Sequence, residues 1–201
     1  MHALIRSYLP VLILAPLFVA AQIFHGQVFA VLWLEPGPVL AGEFWRVFSA
    51  YLVHSNLWHM TMNLLGLLAV SWFWRDAVNP RHFLLLVTSS ALFVSLCYLL
   101  LHPAHTVYFG FSAILYSLIA AFSLINWQRQ PWANAIVLIV MGGRALQQWL
   151  VPGSSEDVAS LIGAPVAAES HLYGLVWGVL WGMFWRVRCR LLTLQSGGKL
   201  N

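Results

Sequence analysis

Charge is nearly absent over long stretches of this chain, and that restricts its fold more than any other feature. Between Arg6 and Glu35 lie 28 residues without Asp, Glu, Lys or Arg; between Arg46 and Arg75 there are 28, and between Arg81 and Arg129 there are 47. A helical crossing of a bilayer takes about 20 apolar residues. The long interval therefore predicts two crossings, turned at His102-Pro103-Ala104-His105. The reading is an all-α integral membrane protein, a bundle of six transmembrane helices near 9–34, 57–74, 82–101, 109–127, 131–150 and 166–187, in one domain over residues 1–201. Composition agrees: 61% of residues are hydrophobic and 8% charged, whereas soluble domains carry about 25% charged residues.

Several classes fall away on the same grounds. The net charge is +4, but ten scattered basic residues make no stripe for nucleic acid. Cys97 and Cys189 are far apart and outside any CxxC spacing, which argues against a disulfide framework or a thiolate metal site. No cofactor is expected. The first helix has a secretory-signal alternative, with Val19-Ala20-Ala21 as a cleavage site, but its apolar run exceeds the usual signal core. Pro16 predicts a kink within it. A cytoplasmic N-terminus puts Arg6, Arg75, Arg81, Arg129, Arg186, Arg188, Arg190 and Lys199 inside, as the positive-inside rule asks. Glu35, Glu43, Glu156, Asp157 and Glu169 then fall outside. Trp33, Trp72, Trp74, Trp127, Trp132, Trp149 and Trp185 lie near predicted helix ends, where indoles favour the interface.

Polar residues inside apolar spans carry the functional information, because lipid gives them no solvation. Three groups map to the outer half of the membrane. His59 and Asn63, four apart at the start of the second helix, share a face. His54, about 140° away at 3.6 residues per turn, belongs to the entry loop. Gly110-Phe111-Ser112 opens the fourth helix, where a glycine permits a sharp turn and the first-turn N–H groups are free. Tyr116 lies one turn further on the same face. His171 opens the sixth helix and is followed by Gly174, Gly178 and Gly182, a row spaced by four that permits close helix approach. Ala113, Ser117 and Ala121 form a matching row on the fourth helix. Packing the rows together predicts Ser112 beside His171.

These groups supply what serine acyl transfer requires. Ser112 is the candidate nucleophile and His171 its general base. The Ser112 N–H, with Asn63 and His59, is the candidate oxyanion hole. No carboxylate partner for His171 is evident, since Glu169 points elsewhere on its helix, so a dyad is expected. Tyr116 is placed to stack on the imidazole in the orienting role.

In this order and spacing the residues resemble the rhomboid intramembrane serine proteases. The resemblance covers nearly the whole chain: Trp45-Arg46 in a long first loop, His54, His59 and Asn63, Gly110-x-Ser112, and His171 with Gly174 and Gly178. It implies a Ser112–His171 dyad, an oxyanion hole at His59 and Asn63, and supporting positions at His54, Gly110, Tyr116 and Gly174. Ala113 stands where the family usually has glycine, and Ser170 where alanine is common before the histidine. Ala113 is expected to narrow the space beside the nucleophile. The compact chain, with Gly142-Gly143-Arg144 and Gly163-Ala164-Pro165-Val166 ahead of His171, is most similar to the rhombosortases. Those are bacterial rhomboids associated with exported proteins ending in a Gly-Gly signal, an apolar helix and a basic end. The resemblance implies cleavage of such a transmembrane tail near the outer, periplasmic face of the inner membrane. The acyl-enzyme is open to water or to an amine-bearing lipid headgroup, between which the sequence does not decide, and the loop charges put both termini in the cytoplasm.

Arg144, with Gln147 and Gln148 beside it, is the odd charge in a span. It is read as recognising the substrate tail or a lipid phosphate, with snorkelling or pairing to Glu156 or Asp157 as the alternative. Competing functions are an inactive relative that binds transmembrane clients, a metal-dependent enzyme using His54, His59 and His171, and a transporter. The presence of both Ser112 and His171 opposes the first. The lack of HExxH opposes the second, and the lack of an inverted repeat opposes the third.

Overall fold

A computed structural model describes residues 2–77, 79–103 and 106–197. Ten helices follow in order: α1 (His2–Ile23), α2 (His25–Leu32), α3 (Pro36–Leu40), α4 (Arg46–Ser49), α5 (Leu57–Phe73), α6 (Pro80–Leu101), α7 (Ser112–Ile125), α8 (Pro131–Leu150), α9 (Glu156–Ile162) and α10 (Ala168–Gly197). Ala104 and His105 of the expected turn, and Lys199, lie outside the described residues.

The helix starts are chemically specified. Asn56 caps α5 by accepting the His59 N–H at 2.9 Å, and Asn79 caps α6 by accepting from Arg81. Pro80 and Pro131 occupy the first positions of α6 and α8, where a missing N–H costs nothing. α7 is the central element, with ten of its fourteen residues buried. Its Ala113, Ser117 and Ala121 carbonyls meet Gly174, Gly178 and Gly182 of α10 so closely that no side chain fits between. The two small-residue rows are the α7–α10 seam, and the Ser117 hydroxyl donates across it to the Gly174 carbonyl at 2.6 Å.

The outer faces are apolar, unlike those of a soluble bundle, while the buried faces mix large apolar residues with small and polar ones. On α6, Leu84, Leu85, Leu92, Leu96 and Leu100 are exposed while Ser90, Ala91 and Ser95 are buried. Among the described residues α6 is the one clear span by length and hydropathy, and α1 with α2 qualifies as a bent pair. α5 and α7 are apolar but shorter. The six-span count is therefore a proposal, developed below.

The first predicted helix differs from expectation. α1 runs through Pro10 and Pro16 without a break, and the chain instead turns by 111° at Phe24. Side chains of the following loop hold α2 in that bent position. Arg46 donates to the Ala30 and Trp33 carbonyls at 2.8 Å each, Trp45 to Val31, and Ser49 to Leu32. Arg46 is 6% exposed and completes its set with Glu43 at 2.6 Å. The interval 151–165, read as a loop, contains α9, which Gly163 ends at φ +65°. The last helix outlasts its predicted end at 187, because Arg186 and Arg188 end an apolar span without ending a helix. Trp74 lies at the end of α5, as expected, but faces the protein. It is buried and donates to Asn134 Oδ1 at 2.9 Å, while Asn134 Nδ2 donates to the Asn126 and Gln130 carbonyls.

Candidate active site

The serine is positioned by the segment that leads into α7. Leu34 and Tyr108 exchange two backbone hydrogen bonds of 2.9 Å, and the Gly110 N–H donates to Ala50. The first loop and the approach to Ser112 are thus tied together. Gly110 sits at φ +103°, a conformation that favours glycine. A Cβ there would lie 2.7 Å from the His59 ring, so the position is closed to side chains twice over. The buried Tyr108 hydroxyl, kept protonated by burial that raises its pKa, donates to the Gly110 carbonyl at 2.9 Å.

Ser112 is the first residue of α7, so its N–H has no acceptor within the helix. Its Oγ lies 2.9 Å from His171 Nε2, across the α7–α10 seam. The Tyr116 ring stacks on the imidazole with centroids 4.5 Å apart and planes at 16°. The other ring nitrogen, Nδ1, faces Gln148 Oε1 of α8 at 2.8 Å. Gln148, expected to serve substrate recognition, borders the cavity and in addition meets the histidine. The signal was the spacing of Arg144 and Gln148, four apart and hence on one face of α8, but nothing in the sequence said which neighbour that face meets.

A cavity of about 300 Å³ opens over these groups and is bordered by His59, Asn63, Ser112, Tyr116, His171, Arg144 and Gln148. Asn63 spends one amide hydrogen on the His59 carbonyl at 3.0 Å and keeps the other. His59 is held at Nδ1 by Ser55 Oγ at 3.1 Å. Ser55 donates its single hydrogen to the Ile162 carbonyl at 2.6 Å, so it accepts from His59 Nδ1–H. A neutral His59 then presents Nε2 as an acceptor, and the ring can donate to an oxyanion only as the imidazolium. Asn63 and the Ser112 N–H are the donors that need no such change.

His54 stands behind this layer, outside the spans and 2% exposed, with its ring edge-on to Phe18 and to His59. Burial first, and then the neighbouring His59, push its pKa down to about 3. It packs and does not border the cavity. Gly174 is part of the seam. Gln147 is exposed and accepts from Arg144 at 3.0 Å. Arg144 does not pair with Glu156 or Asp157; it donates to the Ser154 carbonyl at 3.0 Å and the Ser155 hydroxyl at 3.2 Å, fastening α8 to the turn that follows it. Ala113 is fully buried against α10 and does not border the cavity. Ser170 is also buried and turns its hydroxyl to the Ala167 carbonyl. Among the described residues no three His, Cys, Asp or Glu side chains gather to hold a metal ion.

No curated protein matches the chain. A family model described as the Rhomboid domain matches residues 41–188, which contain every residue of the cavity. The chain is a membrane protein and belongs to the rhomboid family, a family of intramembrane serine proteases.

Proposed function

We propose that this chain is an active serine endopeptidase that cleaves the transmembrane C-terminal tail of exported proteins. The observation that carries the reading is the 2.9 Å approach of Ser112 Oγ to His171 Nε2 within the cavity. In the reaction, Nε2 takes the hydroxyl proton as Oγ attacks the scissile carbonyl. The resulting oxyanion is received by the Ser112 N–H and the free Asn63 amide hydrogen, with His59 adding a donor when protonated. Collapse passes the Nε2 proton to the leaving amine and leaves an acyl-serine. Water, or the amine of a lipid headgroup, then gives a proton to Nε2 as it attacks the acyl carbon, and Nε2 returns that proton to Ser112 Oγ as the serine leaves.

The six-span arrangement, with both termini cytoplasmic and the site toward the periplasm of a bacterial inner membrane, is part of the proposal. Its support is the charge asymmetry of the loops and the length of α7. Fourteen residues reach about 21 Å at 1.5 Å each, short of a hydrocarbon thickness of about 30 Å, as suits a nucleophile set below the outer surface. The preference for a Gly-Gly, apolar-helix, basic tail rests on the similarity to rhombosortases. Arg144, the one guanidinium among the described residues bordering the cavity, is the group proposed to meet the substrate or a lipid phosphate.

The test is co-expression with a reporter bearing such a tail, followed by intact mass. Cleavage by the parent chain, lost in Ser112→Ala and in His171→Ala, is the expected result; the product mass also shows whether a headgroup has been added. A reporter bound but left whole would favour the client-binding alternative.

A further inference from the structure

We infer that Gln148 is the positioning residue for the catalytic base, a third member of the Ser112–His171 unit supplied by a different helix. The inference rests on the serine-protease reading. Gln148 Oε1 has lone pairs and no hydrogen, so at 2.8 Å it accepts from His171 Nδ1–H. That assignment settles the neutral tautomer: the hydrogen is on Nδ1, and the Nε2 lone pair faces the Ser112 hydroxyl at 2.9 Å. The opposite tautomer would aim an N–H at Ser112 and leave no base.

The remaining freedom of the ring is rotation about its bond to the backbone, and three contacts resist it. Tyr116 covers one face, Ser112 holds Nε2 and Gln148 holds Nδ1. Tyr116 fixes the plane but cannot distinguish the ring from its flipped form; the polar partners at Nδ1 and Nε2 can, and of the two Gln148 is the one that takes no part in bond making. Gln148 is itself held by the fastening of α8 to the turn after it, through Arg144 to Ser154 and Ser155 and through the Ser154 hydroxyl to the Gln147 carbonyl. The Gln148 side chain is half-buried, and its neutral amide oxygen accepts the hydrogen bond without needing a charge. It also continues to accept when the ring becomes an imidazolium during the reaction.

The experiment uses the full chain in detergent micelles with a fluorophosphonate probe, separating the maximal inactivation rate from the apparent binding constant. Gln148→Leu is expected to lower the maximal rate about 10- to 100-fold, the worth of one hydrogen bond to a charged ring, with binding constant and melting temperature unchanged. Gln148→Glu, which keeps the acceptor, is expected to retain most of the rate. A Gln148→Leu variant that reacts at the parental rate overturns the inference, as does an equal loss in the Leu and Glu variants or a change confined to binding. If the parent chain itself does not react, the serine-protease reading fails and carries this inference with it; if the parent reacts and the Leu variant matches it, only the role of Gln148 fails.

Discussion

The seam between α7 and α10 sets the distance between nucleophile and base, and Gly174→Ala tests that directly. A Cβ at Gly174 would overlap the Ala113 carbonyl oxygen and stand 2.9 Å from its carbon, both backbone atoms that no rotamer change can move. Ordinary contact between such atoms needs about 3.5 Å, so the helices must part by about 1 Å. Ser112 and His171 each lie within a turn of the clash. The same parting stretches their 2.9 Å contact toward 4 Å, past the reach of a hydrogen bond. Overpacking of this kind costs about 1–3 kcal/mol in stability, and loss of general-base contact costs at least about 10²-fold in rate. The assay is fluorophosphonate labelling of the folded fraction together with a thermal melt in detergent. Gly182→Ala, two turns further along, meets the Ala121 oxygen at 3.0 Å and the Leu124 side chain; it should lower the melt with less effect on labelling. Gly143→Ala on α8 meets nothing within 4 Å and should change neither. A Gly174→Ala protein that labels and melts like the parent would refute the claim that this glycine row sets the dyad.

Other perturbations follow from the same geometry. Asn63→Ala removes an oxyanion donor and should lower the maximal rate about 10²- to 10³-fold with little change in substrate affinity, measured as a kcat-against-KM split on a cleavable reporter. Gly110→Ala forces a side chain into a backbone at φ +103° and against the His59 ring; a loss of about 1–3 kcal/mol should appear in chemical unfolding. Arg46→Ala strands the Ala30 and Trp33 carbonyls, each worth about 1–3 kcal/mol when unpaired. It should lower the melting temperature, and Arg46→Lys should not restore it, because one nitrogen cannot reach both the Glu43 carboxylate that Nε meets and the two carbonyls that Nη1 meets.

Where a residue pattern has a single physical solution, the sequence already displayed it. The rows Gly174-Gly178-Gly182 and Ala113-Ser117-Ala121 have one close-packed arrangement, and that arrangement puts Ser112 beside His171. The charge-free intervals likewise located α5, α6 and α7 to within a few residues. The break at Phe24 was not legible, because no local signal makes it; Arg46, Trp45 and Ser49 impose it from a later loop. Pro16 drew attention as a kink because proline is a local signal, yet α1 continues through it. Gln148 and Arg144 were visible as polar residues in an apolar span, but their partners depend on how α8 lies against α10, and single-helix periodicity does not encode that. The tautomer of His59 needed one more layer still, since it follows from where Ser55 sends its hydrogen.

The most direct measurement of the central claim is the mass of the protein after reaction with a fluorophosphonate, with the adduct located by peptide mapping. One adduct is expected, on Ser112 in the parent chain, and none in Ser112→Ala or His171→Ala. A folded parent that gains no mass, or an adduct that persists in either variant, would contradict it.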